Sequence, residues 1–394
     1  MSLRVGIYAP LNSIAITSGL GQYVTRLTGA LARLDGGDGS LPPVEYVVLT
    51  DDEHTDWVEP AARERMQVAT FDRTRVHREA PVLFEELQVD VAHVTLPVHI
   101  AANCPTVFNP HDLRHVRYPE YYERQALQRR RQVYPAACRD ATLVDTFSQA
   151  TKDNVVETYD VDAGSVYPMP LGPAHTGSGT VGDALAAEVR SAYDLPESFL
   201  LYPANTWPHK NHRLLVDALE HIEETHGERI TLVCTGGRDD RGVSSEHRIA
   251  DLEALDPAGR VQDLGFVDSS HLRALYRECR LLVYPSEFEG GGLPVIEGWQ
   301  FDTPVVCSDI PPLREKGGDA AAYFDPSSAS DIGETVYEAW TDPTLRAKLV
   351  ERGRKRRDLF TWERTARAYH ALYRKAAGRE LSDGDEAALA YPPG

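Results

Sequence analysis

Positive charge is scarce in this chain. Its 394 residues carry 41 Lys and Arg against 60 Asp and Glu, a net charge of −19. Nucleic-acid binders rely on a basic surface that displaces phosphate counterions, so a general nucleic-acid partner is excluded. Long apolar runs are also missing, and none approaches the ~20 residues that a helix needs to cross a bilayer. The start, Met1-Ser2-Leu3-Arg4-Val5, leads straight into a strand-like run, with no signal peptide. Cysteine is sparse. Cys104, Cys138, Cys234, Cys279 and Cys307 are scattered, without the paired spacing of a metal site. They read as buried free thiols of a reducing compartment. The absences together predict a soluble, cytoplasmic protein. No short repeat is visible.

What is present is a rhythm. Apolar residues make up 42% of the chain, enough for substantial cores, and the length suits two domains. Residues 3–9, 44–49, 89–94, 106–109 and 141–147 read as buried strands, with helical patterns such as 20–34 and 121–138 between most of them. After the Gly-, Ser- and Thr-rich stretch 172–180, which reads as a linker, the rhythm restarts with strands at 199–203, 230–235, 281–285, 305–308 and 321–324. Alternation of this kind predicts mostly parallel sheets covered by helices on both faces. Two such domains joined near residue 175 predict a cleft, with ligands beyond the carboxyl ends of the strands. A late helix over 360–376 and a frayed acidic tail over 380–394 complete the chain.

The most informative stretch runs from Ser286 to Glu297. Glu289 and Glu297, with seven residues between them, flank Gly290-Gly291-Gly292-Leu293-Pro294. Three glycines let backbone approach a ligand closely. Pro294 marks a helix start, which places Glu289 in the loop and Glu297 in the first turn. A helix N-terminus suits a phosphate, and carboxylates accept hydrogen bonds from hydroxyls. The ligand that combines both chemistries is a nucleotide sugar. The plain alternative is a glycine-rich loop with two solvated glutamates.

Other candidates follow strand ends. Lys210, at a loop-to-helix boundary, is a point charge suited to a diphosphate; the alternative is a surface lysine. Gly236 and Gly237 make room for a base or ribose, or form a plain tight turn. Gly19 and Gly21, with Gln22 and Tyr23, open a helix, but the third glycine of a dinucleotide fingerprint is absent. Asp51 sits where a Rossmann dehydrogenase keeps its ribose-binding acid, but without the rest of that signature. His111-Asp112 ends a strand, where a histidine is commonly structural. Ser148 is typed as a helix cap. The stretch Arg114 to Arg131 holds six arginines and three tyrosines. A solvated helix face is its ordinary reading; docking to an anionic membrane or an anionic acceptor is the functional one. No Asp-x-Asp metal motif ends a strand, since Asp239-Asp240 lies in a charged loop, so metal independence is expected.

From the first glycine loop to the final helix, and most strongly over Leu272 to Pro326, the chain resembles the retaining glycosyltransferases of family four (glycosyl transferases group 1). Tyr284-Pro285-Ser286 with Glu289, then Thr303-Pro304-Val305-Val306, Ser308-Asp309-Ile310-Pro311 and Arg314-Glu315 carry the likeness. Gly291 stands where the family has Phe, Gly298 where it has Ala, and Asn205 where many relatives place a diphosphate-binding arginine. His111-Asp112-Leu113-Arg114-His115 with Tyr118-Pro119-Glu120 is most similar to mannosyltransferase-like members. The resemblance implies a GT-B fold, two Rossmann-like doubly wound domains facing a central cleft. It divides the chain into an acceptor domain over 1–175, a donor domain over 176–360, a helix over 361–379 returning to the first domain, and the tail.

By the same resemblance, Glu289, His111 and Lys210 are catalytic. The donor, a GDP- or UDP-linked hexose such as mannose, lies on Gly19, Gly21, Asn205, Lys210, Gly236, Phe266, Val267, Glu289, Gly290, Gly291, Gly292, Leu293 and Glu297. A glycan, lipid-linked or small-molecule acceptor meets Gln22, Tyr23, His111, Asp112 and Ser148. No metal or separate cofactor is implied. Three rivals stand beside this reading: a glycosidase using the Glu289 and Glu297 pair, a nucleotide-sugar epimerase, and a nucleotide-sugar sensor without turnover.

Overall fold

Runs of Val, Ile and Leu too short for helices become strands buried on both faces, which is why they lack polar alternation. The computed structural model describes the chain except residues 1, 12–17, 35–40, 52, 73–75, 176–180, 238–241 and 393–394. Asp239, Asp240, Arg238 and part of the expected linker therefore lie outside the described residues.

The first sheet is parallel and has seven strands: β1 (Leu3–Tyr8), β2 (Val44–Asp51), β3 (Gln67–Phe71), β4 (Val91–Val94), β5 (Thr106–Phe108), β6 (Leu143–Thr146) and β7 (Val166–Pro168), in the order β3-β2-β1-β4-β5-β6-β7. The second is parallel and has six: β8 (Leu200–Pro203), β9 (Leu232–Thr235), β10 (Val261–Asp263), β11 (Leu281–Tyr284), β12 (Val305–Ser308) and β13 (Ala322–Phe324), in the order β10-β9-β8-β11-β12-β13. Both orders reverse direction once, at β1/β4 and at β8/β11. Those are the switch points where an open α/β sheet offers a crevice to ligands. Sequence patterning misses β3, β7 and β10. All three are edge strands, and Gln67–Phe71 is mostly solvent-facing, so it carries no apolar run.

The chain forms two compact units. Among the described residues the first comprises 2–113, 128–174 and 360–392, and the second 114–127 and 175–359. A single cut at residue 175 thus leaves out one exchange: Arg114–Leu127 packs with the second unit. Gly172 does not behave as a free linker. It is buried, its amide donates to Thr365 Oγ1 at 3.1 Å, and an added Cβ would lie 2.7 Å from Trp362 Cδ1. The tail is also ordered rather than frayed. Residues Asp383–Leu389 form a helix opened by a Ser382/Asp385 capping box, Asp385 is buried, and Arg374 lies 3.2 Å from it. Among the described residues no helix is long and apolar enough to cross a membrane.

A buried polar cluster fixes the late helix Trp362–Ala376 in the first unit. Asp145 at the end of β6 accepts from Asn109 Nδ2 at 2.5 Å and from the Tyr369 hydroxyl at 2.5 Å, with His93 Nε2 at 3.5 Å. His93 Nδ1 lies 2.8 Å from the Tyr373 hydroxyl, and Tyr23 and Tyr369 share a hydrogen bond of 2.7 Å. Burial pushes the Asp145 carboxyl up, but the hydrogen bond and charge of His93 and the hydrogen bonds of Tyr369 and Asn109 hold it below its usual range. Removing Asp145 strands several buried donors. We expect Asp145→Ala to destabilise the fold by about 3 kcal/mol or more, as breaking a buried polar pair does. Denaturant titration checks this, and a loss under about 1 kcal/mol would show that the cluster contributes little.

His212 opens the helix His212–His226 in the second unit and packs on Tyr202, with ring centroids 4.7 Å apart. Both its ring nitrogens are buried without a hydrogen-bond partner among the described residues. Burial, reinforced by Lys210, pushes its pKa down to about 3. Burial likewise pushes His370 down to about 4. Below the unfolded-chain value of about 6.5 the unfolded state binds protons that the folded state refuses, so stability falls with pH by about 1.4 kcal/mol per unit for each such ring. We expect the midpoint of thermal unfolding to drop between pH 7 and pH 5. His212→Phe should make that drop shallower; an unchanged pH slope in the variant would remove His212 from the account.

Candidate functional site

At the switch point of the second sheet two loops leave adjacent strands, β8 and β11. The β8 loop turns through Asn205, whose Oδ1 accepts from the Trp207 amide at 3.3 Å, and ends in a short 3-10 turn at Pro208–Lys210. Asn211 then takes a left-handed conformation (φ 61°), and its side chain donates to Pro326 O at 2.7 Å. The β11 loop is tied to this one by its backbone, since the Glu287 amide donates to His209 O at 2.8 Å.

The two loops meet in an ion pair. Lys210 Nζ lies 2.5 Å from Glu289 Oε1, with side chains 13% and 10% exposed. Tyr284, the last residue of β11, bridges them: its hydroxyl accepts from Lys210 Nζ at 2.9 Å and donates to Glu289 Oε1 at 2.8 Å. Tyr202, on β8, donates to the Lys210 carbonyl at 2.5 Å. Burial pushes the hydroxyls of both tyrosines well above their ordinary range, so both are protonated and able to donate. Two of the three Nζ protons of Lys210 are engaged by Tyr284 and Glu289, which leaves one for an anionic ligand.

Beyond Glu289 the glycines shape the turn. Gly292 caps the helix Leu293–Gln300 at φ 59°, and a Cβ there would lie 2.5 Å from Leu313 Cδ2. Pro294 sits in the first turn as expected, but Glu297 is the fifth helical residue, in the second turn, because the helix begins at Leu293. Glu297 is buried, and its Oε2 accepts from the Tyr276 hydroxyl at 2.6 Å. Glu289 and Glu297 are thus set apart in role: one is tied to a lysine, the other to a buried phenol. Gly236 requires its glycine, as its φ is 150° and a Cβ would lie 2.3 Å from Ala204 O. Gly237 faces open space at the same strand end. Phe266 is 63% exposed, and Val267 is buried beside it.

The candidates of the first unit are placed by themselves. Ser18 caps the helix Gly19–Arg33 by accepting from the Gly21 amide at 3.3 Å, with Gly19 exposed and Gln22 half-buried. Tyr23 is 1% exposed and packs in the core, so it presents no face to an acceptor. Ser148 is likewise fully buried, capping the helix Gln149–Tyr159 through the Thr151 amide at 3.1 Å. His111 is half-buried in a left-handed conformation (φ 62°), and its Nε2 lies 2.7 Å from Thr95 O. A carbonyl only accepts, so Nε2 carries the proton and Nδ1 holds the lone pair. Burial keeps the ring below its ordinary pKa, against the pull of the Thr95 carbonyl and Asp112. Asp112 is half-buried next to it.

The stretch Arg114 to Arg131 is not one free basic face. Arg114 stacks 4.5 Å from the Trp207 ring, Arg130 donates to Tyr134 at 2.6 Å and His115 is buried, while Arg117, Arg124, Arg129 and Arg131 are exposed. Sequence reading also missed Lys316. It is fully buried in the helix Pro311–Gly317, its Cδ 3.9 Å from a Cβ built on Gly292. Burial pushes it down to about 8, against the pull of Glu315 and Glu289. A helical lysine is ordinarily solvated, so nothing local in the sequence marks it. Tyr284, though part of the motif, and Tyr276 were not taken as site residues for the opposite reason, since they look like ordinary core aromatics.

Comparison with known proteins gives this geometry a context. Residues 188–356 match the family of glycosyl transferases group 1. The chain is 27% identical over 267 residues to the O-antigen chain mannosyltransferase B of Escherichia coli, covering 66% of this chain and 69% of that one. It spans about half or less of the length of other curated relatives that it matches. Among solved structures, it is similar to sucrose-phosphate synthase from Thermosynechococcus elongatus (TM-score 0.70, 20% identity, 95% of this chain and 98% of that one). It also resembles Alr3699/HepE of Anabaena, solved with UDP and glucose (TM-score 0.66, 15% identity, 92% and 97%). With two parallel α/β sheets the chain has the GT-B fold, and its second sheet lies within the stretch that matches the glycosyl transferases group 1 family.

Proposed function

We propose that the protein is a retaining glycosyltransferase that moves a hexose, mannose or a close relative, from a nucleotide-sugar donor to a hydroxyl of a glycan, lipid-linked or small-molecule acceptor. The observation that carries this reading is the Lys210–Glu289 pair at the β8/β11 switch point, braced by Tyr284. It is supported by the family match over residues 188–356 and by the mannosyltransferase relative.

In this reading the bond between the anomeric carbon and the β-phosphate oxygen breaks, and the acceptor oxygen bonds to that carbon on the same face. The acceptor proton passes to the departing diphosphate. Lys210 meets the charge that develops on the leaving group, where a preorganised cation in a dry setting acts most strongly. Glu289 orients the sugar through its hydroxyls, and Glu297 orients the ribose. The backbone amides of Gly291, Gly292 and Leu293, at the start of the helix Leu293–Gln300, would serve the donor in this reading. By the resemblance His111, with its Nδ1 lone pair, belongs to the acceptor side. The buried setting of Glu297 beside Tyr276 argues against a glycosidase pair, which needs both carboxyls at one scissile bond.

Lys210→Ala should lower kcat by about 10²–10³-fold, the order of removing one preorganised electrostatic donor. Glu289→Gln should lower kcat while leaving nucleoside diphosphate affinity nearly intact. Steady-state kinetics with nucleotide sugars chosen by a thermal-shift panel measures both, and full turnover of Lys210→Ala would sink the proposal. Glu297→Gln, which still offers Tyr276 an acceptor, should weaken nucleoside diphosphate binding by about 1–2 kcal/mol through the lost charge-assisted hydrogen bond. Titration calorimetry checks it.

With Lys210 carrying the charge of the leaving group, no divalent ion is required in this reading. Activity should therefore persist in EDTA. Loss in chelator with rescue by magnesium or manganese would overturn that part.

A further inference from the structure

The segment Arg114–Leu127 belongs by sequence between strands of the first sheet, yet it packs within the second unit. It is anchored there by backbone: Tyr122 bridges Val243 in antiparallel fashion, the Glu123 amide donates to Gly242 O at 2.8 Å, and the Ser244 amide donates to Tyr121 O at 3.0 Å. Tyr122, Trp207 and Val243 form a small buried cluster of their own.

From that anchor two side chains reach the two loops of the ion pair. Arg114 lies 4.5 Å over the Trp207 ring, and its Nη1 is 2.7 Å from His209 Nε2. His209 is buried, and burial, then the charges of Arg114 and Lys210, hold it well below its ordinary pKa. A neutral ring offers Arg114 a lone pair, so the contact is a hydrogen bond and not a repulsion. His209 immediately precedes Lys210. On the other side the Tyr121 hydroxyl donates to Glu287 Oε2 at 2.9 Å. Tyr118 stacks on Tyr121 (5.1 Å, 3°) and meets the edge of Phe288 at 6.1 Å. Glu287 and Phe288 immediately precede Glu289.

We propose that Arg114 and Tyr121 are positioning residues of the donor site: one short arm pins the residues next to Lys210 through Arg114 and those next to Glu289 through Tyr121, and so sets the spacing of the pair. The inference rests on the donor-site reading above. A one-ångström misplacement of such groups is sufficient to cost catalysis heavily, although neither residue touches the pair itself.

The test uses the full chain and the variants Tyr121→Phe and Arg114→Met, with Lys210→Ala as reference. Calorimetry compares UDP and GDP with UMP and GMP, which lack the second phosphate. Both arm variants should weaken the diphosphate by about tenfold, the equivalent of one charge-assisted hydrogen bond, and leave the monophosphate within about twofold. Weakening of mono- and diphosphate alike, in step with a fall in Tm, would mean a merely structural role and overturns the proposal. So does undiminished diphosphate binding in Tyr121→Phe while Lys210→Ala loses it. If Lys210→Ala binds the diphosphate as well as the wild type, the donor-site reading itself fails and the arm's role falls with it. Should Arg114→Met not fold, Tyr121→Phe, which deletes one oxygen atom, decides alone.

Discussion

The contact between Lys210 and Glu289 is the constraint around which the second unit is organised. Neither charge is well solvated, so each depends on the other, and removing one leaves an uncompensated charge in a setting of low dielectric. For the pair to form, the β8 and β11 loops must end close together. That closeness explains several features that look unrelated in the sequence. Tyr284 stands at the last position of β11 to share a proton network with both partners. Gly236 allows the β9 end to lie against Ala204 without a clash. The Glu287 amide reaches the His209 carbonyl and locks the loops at backbone level. A parallel sheet brings loops to one edge; the hydrogen bonds decide which atoms meet.

The first unit uses a different solution. Its strand ends carry Asp145, Asn109 and His93, which are expensive to bury unless fully partnered. The partners come from the far end of the chain, as Tyr369 and Tyr373 of the helix Trp362–Ala376 complete the cluster. An apolar seam would permit the helix to slide, whereas directed hydrogen bonds fix its register. The same Asn109 whose amide donates to Asp145 also accepts from the backbone of His111 at 2.6 Å. The last helix and the strained His111 turn are thus connected through two side chains.

Particular elements show how far local pattern reaches. The central strands β1, β4, β8, β11 and β12 were legible because both faces are covered and most of their residues are apolar or small. The edge strands β3, β7 and β10 were not, since one side is unpaired and the alternation is too short to register. Ser148 was legible as a cap, because capping is a property of the residue and its next three neighbours. Tyr23 was read as an acceptor contact at a helix start, but its place on that helix turns it into the core. The tail looked frayed because it is acidic, and the Ser382/Asp385 capping box with the approach of Arg374 to Asp385 explains its order.

The residues of the glycine-rich loop, the two glutamates and the restart of the α/β rhythm are determined by the sequence itself, since propensity, spacing and strand period act over a few neighbours. Which charges pair, which lysine is buried and which arm braces the site are long-range matters. Lys210 and Glu289 are 79 positions apart, and Arg114 and His209 are 95. Lys316 reads as any surface lysine until helix Pro311–Gly317 is laid beneath Gly292. Burial and partnership depend on elements distant in the chain, so only the tertiary structure decides them.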